Sequence, residues 1–326
     1  MFVTAQLFAQ VFDLLGDLAH CRYTKKIATY RQPVLIYNPA AGKFRRNPER
    51  TLERTIDALA RASLHPRLLP TAEAGHAPEL SEQAIKDGAD LILVLGGDGT
   101  INEALNGMVG SDVPLGILPG GTANVLAMEL GFGSRLERAS SRLAESQPKR
   151  VSLGKLTLAD GASRHFLMMA GAGLDAQIVL DLNPALKAKT GKLAYWTAGL
   201  SQIVKPVGQL SVCANGHAHQ VGFALASRVR NYGGDLELAR GASLLADDFE
   251  AVMFEGSNPL RYAFLMLTVA LKQVQKMPGV HTVRTTRMEL TGDAPIQIDG
   301  EFAGRAPATL EIVPSALTLL IPESYG

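Results

Sequence analysis

Cysteine is almost absent from this chain. Cys21 and Cys213 are the only two in 326 residues. That excludes a disulfide scaffold and suits a reducing, cytosolic compartment. Charge of one sign is also lacking. The 32 Lys and Arg against 31 Asp and Glu give a formal net charge of +1, so there is no global electrostatic case for nucleic acid. Long hydrophobic runs are missing too. No uncharged apolar stretch approaches the roughly 18 residues a membrane span needs. The best candidate, Ala263 to Leu271, reads as a buried helix instead. There is no internal repeat and no low-complexity linker. A hydrophobic content of 47% and a charged content of 19% describe an ordinary globular protein. Its length suits two domains better than one.

The first 30 residues read as an extension. Leu7, Phe8, Val11, Phe12, Leu14, Leu15 and Leu18 recur at helical spacing, with Gln6, Gln10, Asp13 and Asp17 on the other side. This amphipathic helix lacks a basic n-region and a small-residue cleavage site, so it is not read as a secretory signal. Three readings stand: it packs on the body, it makes a membrane-surface or homodimer contact, or it is an upstream extension of little consequence. The acidic polar face argues against the membrane, and the following Arg22, Lys25, Lys26 and Arg31 argue for it.

The most informative segment is Gly96-Gly97-Asp98-Gly99-Thr100. It follows the apolar run Leu91 to Leu95, which has the character of a buried parallel strand. Thr100-Ile101-Asn102-Glu103 is a capping-box pattern and predicts that a helix starts there. Glycines let a backbone approach phosphate, and the free N–H groups of a first helical turn favour an anion. A carboxylate in such a turn repels phosphate unless a cation lies between them. Asp98 is therefore read as directed at magnesium, directly or through water. The plain alternative is a βα turn that binds nothing.

The surrounding pattern is βαβαβαβ. Strands are expected at 34–37, 67–71, 91–95 and 114–118, with helices at 48–62, 77–87 and 100–107. Thr122 reads as a helix N-cap and Gly131 as a C-terminal stop. This predicts a doubly wound α/β domain over residues 31–150. After residue 150, alternating segments at 151–158, 209–214, 221–226, 249–254, 287–290, 296–298 and 309–312 predict a mostly antiparallel β-sandwich domain over residues 151–326. Helices near 186–204 and 259–276 interrupt it. Ligands of an open parallel sheet sit at its carboxyl edge. Four strand ends there carry polar or glycine turns: Asn38 to Gly42, Thr71, Gly96 to Asn102, and Pro119 to Asn124.

Asn38-Pro39-x-x-Gly42, Gly96 to Glu103, and Leu118-Pro119-Gly120-Gly121-Thr122-Ala123-Asn124 together resemble the catalytic domain of the diacylglycerol kinase and sphingosine kinase family. The soluble bacterial lipid kinases are most similar in layout. Gly171 to Ala176, Asn231-Tyr232-Gly233-Gly234 and Asp299-Gly300-Glu301 agree, so the resemblance covers roughly residues 31 to 322. It implies ATP-dependent phosphorylation of a lipid hydroxyl at a membrane surface by a cytoplasmic, peripherally associated enzyme using Mg2+. It places Asn38, Thr71, Gly96, Gly97, Asp98, Gly99, Thr100, Ile101, Asn102, Gly121 and Thr122 around the nucleotide. It implies a general base at Glu301, with Asp299 as the competitor. It also implies a structural magnesium at Asp247 with carbonyls near Leu244 and Phe249. The family usually has Asp-Gly where this chain has Asp247-Asp248, which changes that loop.

Phosphoryl transfer needs positioned phosphates, neutralised charge and an oriented hydroxyl, and these residue types can supply all three. Read without the family, Asp299-Gly300-Glu301 is a hairpin turn and Asp247-Asp248 a solvated one. Lys43, Arg45 and Arg46 could meet phosphate, an anionic membrane or only water. Lys187, Lys189 and Lys192 beside Tyr195 and Trp196 suit a lipid groove or a packed helix. Cys213, His217 and His219 are too loosely spaced to predict zinc. An NAD kinase shares the Gly-Gly-Asp-Gly signature but places its Asn-Glu pair well downstream. A silent lipid- or nucleotide-binding regulator would be expected to have lost Asp98 or Glu301. A P-loop enzyme is excluded by the absence of its motif.

Overall fold

The computed structural model describes residues 30–42, 44, 47–180, 208–232, 236–256, 258–270 and 273–325. The amphipathic N-terminal helix, Lys43, Arg45, Arg46, the helix expected at 186–204 and Gly233-Gly234 lie outside them.

Strand and helix alternate through residue 144 as β1 (Pro33–Tyr37), α1 (Pro48–Arg61), β2 (Arg67–Pro70), α2 (Ala77–Lys86), β3 (Leu91–Gly96), α3 (Asp98–Asn106), β4 (Leu115–Pro119), α4 (Val125–Glu129) and α5 (Leu136–Ala144). The strands are parallel in the order β2-β1-β3-β4. All of β3 and β4 is buried, as an apolar run covered by helices on both faces requires. Helix α5 was not expected from the sequence.

The second half contains β5 (Gln147–Leu158), β6 (Ser163–Phe166), β7 (Met169–Gly173), α6 (Leu174–Leu180), β8 (Leu210–Ala214), β9 (His217–Ser227), β10 (Asn231–Tyr232) and β11 (Leu236–Glu237). It continues with β12 (Phe249–Glu255), α7 (Pro259–Ala270), β13 (Val280–Thr285), β14 (Arg287–Thr291), β15 (Pro295–Ile298), β16 (Glu301–Arg305) and β17 (Ala308–Ile321). Its pairings are antiparallel, and a second apolar core built on Leu156, Phe166, Val212, Phe249, Met288 and Ile296 fills it. The helix expected to reach residue 276 ends at Ala270, and a separate 3-10 turn follows at Val274–Lys276. Strand β17 joins the halves. It pairs antiparallel with β5 and β14, and its Leu319 lies parallel to Leu115 of β4. Residue 150 therefore falls inside β5 rather than in a linker.

Two helix starts differ from expectation. Helix α3 begins at Asp98 with Gly97 as its cap, not at Thr100. The Thr100 hydroxyl is used elsewhere, accepting from Asn38 Nδ2 at 3.2 Å. Thr122 does not cap α4. Asn124 holds the N-cap position instead, without a side-chain capping bond and in the left-handed region at φ 50° and ψ 49°, which Asn tolerates better than most side chains. Gly131, at φ +74°, follows the end of α4 as expected.

Candidate active site

The glycine turns at the ends of β3 and β4 are built against each other. Gly120 N and Gly121 N both donate to the Gly96 carbonyl, at 2.8 and 3.0 Å. A Cβ on Gly121 would lie 2.5 Å from the Gly97 Cα, and one on Gly120 would lie 2.8 Å from Gly96 N. Only glycine permits two backbones this close. Asn124 braces the second turn, accepting from Gly121 N at 2.8 Å and donating to Gly121 O at 2.9 Å. Asp98 fastens the two turns together. Its Oδ2 accepts from Val125 N at 3.0 Å and its Oδ1 from Leu126 N at 3.2 Å. The carboxylate thus occupies the N-terminus of α4, where the helix dipole favours negative charge. Asn38 closes the same edge from β1, with Oδ1 accepting from Ala40 N at 2.8 Å. Gly42 also reaches it, since a Cβ there would lie 3.2 Å from Thr122 Oγ1. Thr71 follows β2 and is buried, with its N–H on the Tyr37 carbonyl at 2.9 Å.

The second half delivers a carboxylate to this edge. Strands β15 and β16 are joined by Asp299 and Gly300, both at positive φ (49° and 85°), a two-residue hairpin. Glu301 opens β16 and lies against the first glycine turn. A Cβ on Gly99 would fall 2.1 Å from Glu301 Oε1. Its other oxygen, Oε2, accepts from Arg164 Nη2 at 3.0 Å. Arg164 Nη2 also donates to Asn102 Oδ1 at 2.6 Å, so Arg164 links the carboxylate to α3.

Asp299 faces inward and is fully engaged. Its oxygens accept from Leu167 N (3.1 Å), Met168 N (3.0 Å), Met169 N (2.9 Å) and Asn102 Nδ2 (2.8 Å). Burial pushes its carboxyl up to about 6, against the pull of those four donors. Behind the hairpin, Gln297 Oε1 accepts from Gly300 N at 2.8 Å and Gln297 Nε2 donates to Asp175 Oδ2 at 2.6 Å. Asp175 also accepts from Tyr232 Oη, and burial raises its carboxyl pKa. These contacts fix the turn that aims Glu301.

Arg164, Asn106 and Gln297 were not singled out from the sequence, and Asp175 entered only as part of the Gly171 to Ala176 segment. Asn106 had a signal: it lies one turn after Asn102, on the same face of α3. Its Oδ1 accepts from His165 N at 2.9 Å and its Nδ2 donates to His165 O at 3.0 Å, holding the β6 arm in place. Arg164 and Gln297 touch the site only through the tertiary fold, and no local pattern marks them.

The structure gathers the remaining metal candidates differently from the sequence reading. Asp247 is exposed and accepts from Ser152 Oγ. The Leu244 carbonyl accepts from Arg228 Nη2 at 2.9 Å. Phe249 is buried in the second core, stacked on Phe166 with centroids 5.7 Å apart. Cys213 pairs with Ala218 in the β8–β9 register and so faces away from both His217 and His219. His219 instead meets Glu255 and His281 on the neighbouring strands, with His281 Nε2 and Glu255 Oε1 2.7 Å apart.

Comparison with known proteins agrees with this layout. The family model described as the diacylglycerol kinase catalytic domain matches residues 32–156, and that of the YegS C-terminal NAD kinase beta sandwich-like domain matches residues 168–321. A diacylglycerol kinase of Mycobacterium tuberculosis (strain ATCC 25618 / H37Rv) is 28% identical over 257 residues, 77% of this chain and 82% of that protein. One of Bacillus subtilis (strain 168) is 26% identical over 286 residues, 84% of this chain and 90% of its own. A crystal structure of a diacylglycerol kinase from Bacillus anthracis str. Sterne has a TM-score of 0.72 at 22% identity, covering 91% of this chain and 99% of that one. At that identity it shows a shared fold.

Proposed function

This chain belongs to the diacylglycerol kinase family and is an ATP-dependent lipid kinase, and on that premise we propose that its chemistry takes place where Glu301 meets the turn at Gly96 to Thr100. The single observation that carries the reading is the contact between Gly99 and Glu301 Oε1. It brings a carboxylate from one half of the chain to a phosphate-type turn of the other.

Each residue then has a physical task. The backbone N–H groups around Gly97, Gly99 and Thr122 cradle the nucleotide phosphates, with Asn38, Thr71, Thr100, Ile101, Asn102 and Gly121 shaping the same edge. Asp98 holds the two turns in register and puts negative charge beside the site, where it would hold magnesium. Bound there, the ion would neutralise phosphate charge. Glu301 orients the lipid hydroxyl and accepts its proton as oxygen attacks the γ-phosphorus of ATP. The P–O bond to ADP breaks, and a phosphorylated lipid and ADP leave. Asp299 cannot take that proton without giving up a donor it already holds, so it acts as a positioning residue for Asn102 and the hairpin.

Diacylglycerol is the substrate suggested by the names of the relatives, and a sphingoid base presents the same kind of hydroxyl. No helix among the described residues is long and apolar enough to cross a membrane, so the substrate would be met at a bilayer surface. Leu260, Phe264 and Leu267, 71%, 56% and 57% exposed, line one face of α7 and give such a surface an apolar contact. The test is transfer from labelled ATP to a panel of lipids in mixed micelles, with NAD as a control acceptor. Glu301→Gln keeps the shape and removes the basicity. It should lower kcat by ~10²–10⁴-fold, the usual contribution of a positioned base, with little change in the KM for ATP. A mild effect at Glu301 beside a severe one for Asp299→Asn would move the role to Asp299.

A further inference from the structure

The loop that the family resemblance assigns to a structural magnesium already holds a cation. Arg228, at the end of β9, is 0% exposed. Its guanidinium faces the segment from Leu244 to Asp248. Nη2 donates to the Leu244 carbonyl at 2.9 Å, Nη1 to the Ala246 carbonyl at 3.0 Å, and Nη1 reaches the Asp248 carbonyl at 3.5 Å. Three alternate carbonyls therefore converge on one positive group. That is the arrangement a hard cation would want, since oxygen ligands from a short loop are its usual coordination. Arg228 is anchored as well, because its own N–H donates to Met168 O at 2.7 Å.

The surroundings are built for a permanent charge. Asp247 and Asp248 favour the charged guanidinium electrostatically, while burial lowers its pKa to about 10, so it stays protonated at neutral pH. The acidic side chains are themselves occupied. Asp247 takes the Ser152 hydroxyl, and Asp248 Oδ2 takes Arg284 Nε at 2.7 Å. The Leu244 N–H is held by Tyr325 Oη at 3.1 Å, and that hydroxyl lies 3.2 Å from the buried Glu129. Magnesium demands near-octahedral oxygen at about 2.1 Å and gives up water reluctantly. Here it would have to take carbonyls from a guanidinium that repels it. The residues present do not fit the ion.

We propose that Arg228 is the resident cation of this loop, replacing a structural divalent ion, so that the second half of the chain is held together without metal. The acidic pair Asp247-Asp248 then serves the guanidinium and Arg284 rather than magnesium.

The test is thermal unfolding of the full chain without nucleotide, once in EDTA and once in millimolar magnesium. Its readout does not depend on which substrate is phosphorylated. The wild type should melt at the same temperature in both conditions, and Asp247→Ala should be equally indifferent to magnesium. Arg228→Met keeps the length and removes the charge and donors. It should lower the melting temperature by several degrees in both buffers, because it strands buried carbonyls. Arg228→Lys, with a charge but no fork, should fall between. A rise in wild-type melting temperature with magnesium that Asp247→Ala abolishes would overturn the proposal. So would an Arg228→Met protein as stable as the wild type. If Arg228→Met fails to fold, the wild-type and Asp247→Ala melts still decide the matter.

Discussion

Gly99→Ala should separate folding from chemistry in this protein. Gly99 lies in the first turn of α3 with no positive φ to protect, so alanine suits the backbone there. On propensity alone it should stabilise the helix by ~0.5–1 kcal/mol. The new methyl has one problem: it would stand 2.1 Å from Glu301 Oε1 and 3.0 Å from Glu301 Cδ. Ordinary contact begins near 3.5 Å, so the carboxylate must retreat by about 1.4 Å. Its side chain is half-exposed and can swing, so the fold absorbs the change cheaply. The proposed chemistry does not, because misplacing a reacting group by about 1 Å can reduce the rate ~10²-fold. The expected result is an unchanged or slightly raised melting temperature with kcat down ~10²-fold, or ~2.7 kcal/mol in barrier. The decisive assay is a double-mutant cycle with Glu301→Gln. If alanine acts by displacing the base, it should do almost nothing once the base is gone, leaving a coupling energy near the whole ~2.7 kcal/mol. Turnover within about twofold of wild type for Gly99→Ala would refute the reasoning. Full additivity would mean that the methyl disturbs the nucleotide turn rather than Glu301.

Asp98→Asn turns one oxygen into a donor against the N–H groups of Val125 and Leu126. It should lower stability by ~1–2 kcal/mol as well as nearly abolishing transfer, and unchanged urea unfolding would remove the stapling role. Asp299 gives a pH test. Burial raises its pKa from 3.8 to about 6, so between those values the folded state binds the proton and the unfolded chain does not. Its contribution favours folding below about pH 4 and is lost as pH rises through about 6, a change of ~3 kcal/mol. Urea unfolding of wild type against Asp299→Asn at steps from pH 4 to 7 should show that decline and then a plateau, and a flat difference would refute it. Glu129→Ala should cost ~3 kcal/mol in the same assay. The buried carboxylate receives Arg230 N and Nε, Asn231 N and Nδ2, and Tyr325 Oη, which would lose their acceptor. A loss within experimental error would mean that these groups find other partners.

The first half of the fold was readable because its signals are local. A short apolar run such as Leu91 to Leu95, closed by Gly96-Gly97, reads as a covered strand on its length and its glycine stop. The helix starts misled because side-chain oxygens were assigned to their nearest backbone. Thr100 turns to Asn38, and α4 takes its cap from Asp98, a residue 27 positions away. Strand β17 was legible only over 309–312. Pro314 and Ser315, the latter at φ 49°, form an irregularity where the register with β5 shifts, and the alternation resumes beyond it. β6, β7, β13 and β16 carry too few alternating residues to stand out from turns. Within the site, the residues on glycine turns were legible and their partners were not. Asn102 and Asp299 meet across 197 positions, and Arg164 reaches both Asn102 and Glu301 from a strand with no signal of its own.

The segment Asp299-Gly300-Glu301 shows why the plain and the functional readings need not compete. As a turn it follows ordinary rules: Asp and Gly supply two positive-φ residues, and β15 and β16 pair on either side. The same conformation sends the Asp299 carboxylate inward, to three consecutive backbone N–H groups and Asn102 of the opposite half. Because those four donors fix Asp299, and Gln297 fixes the Gly300 N–H, the next side chain has little freedom in where it emerges. That side chain is Glu301, and it emerges against the one residue of the glycine turn that cannot carry a Cβ without displacing it. The hairpin is therefore the device that sets the distance between the Glu301 carboxylate and the first glycine turn. Its structural role and its proposed catalytic role are one geometry.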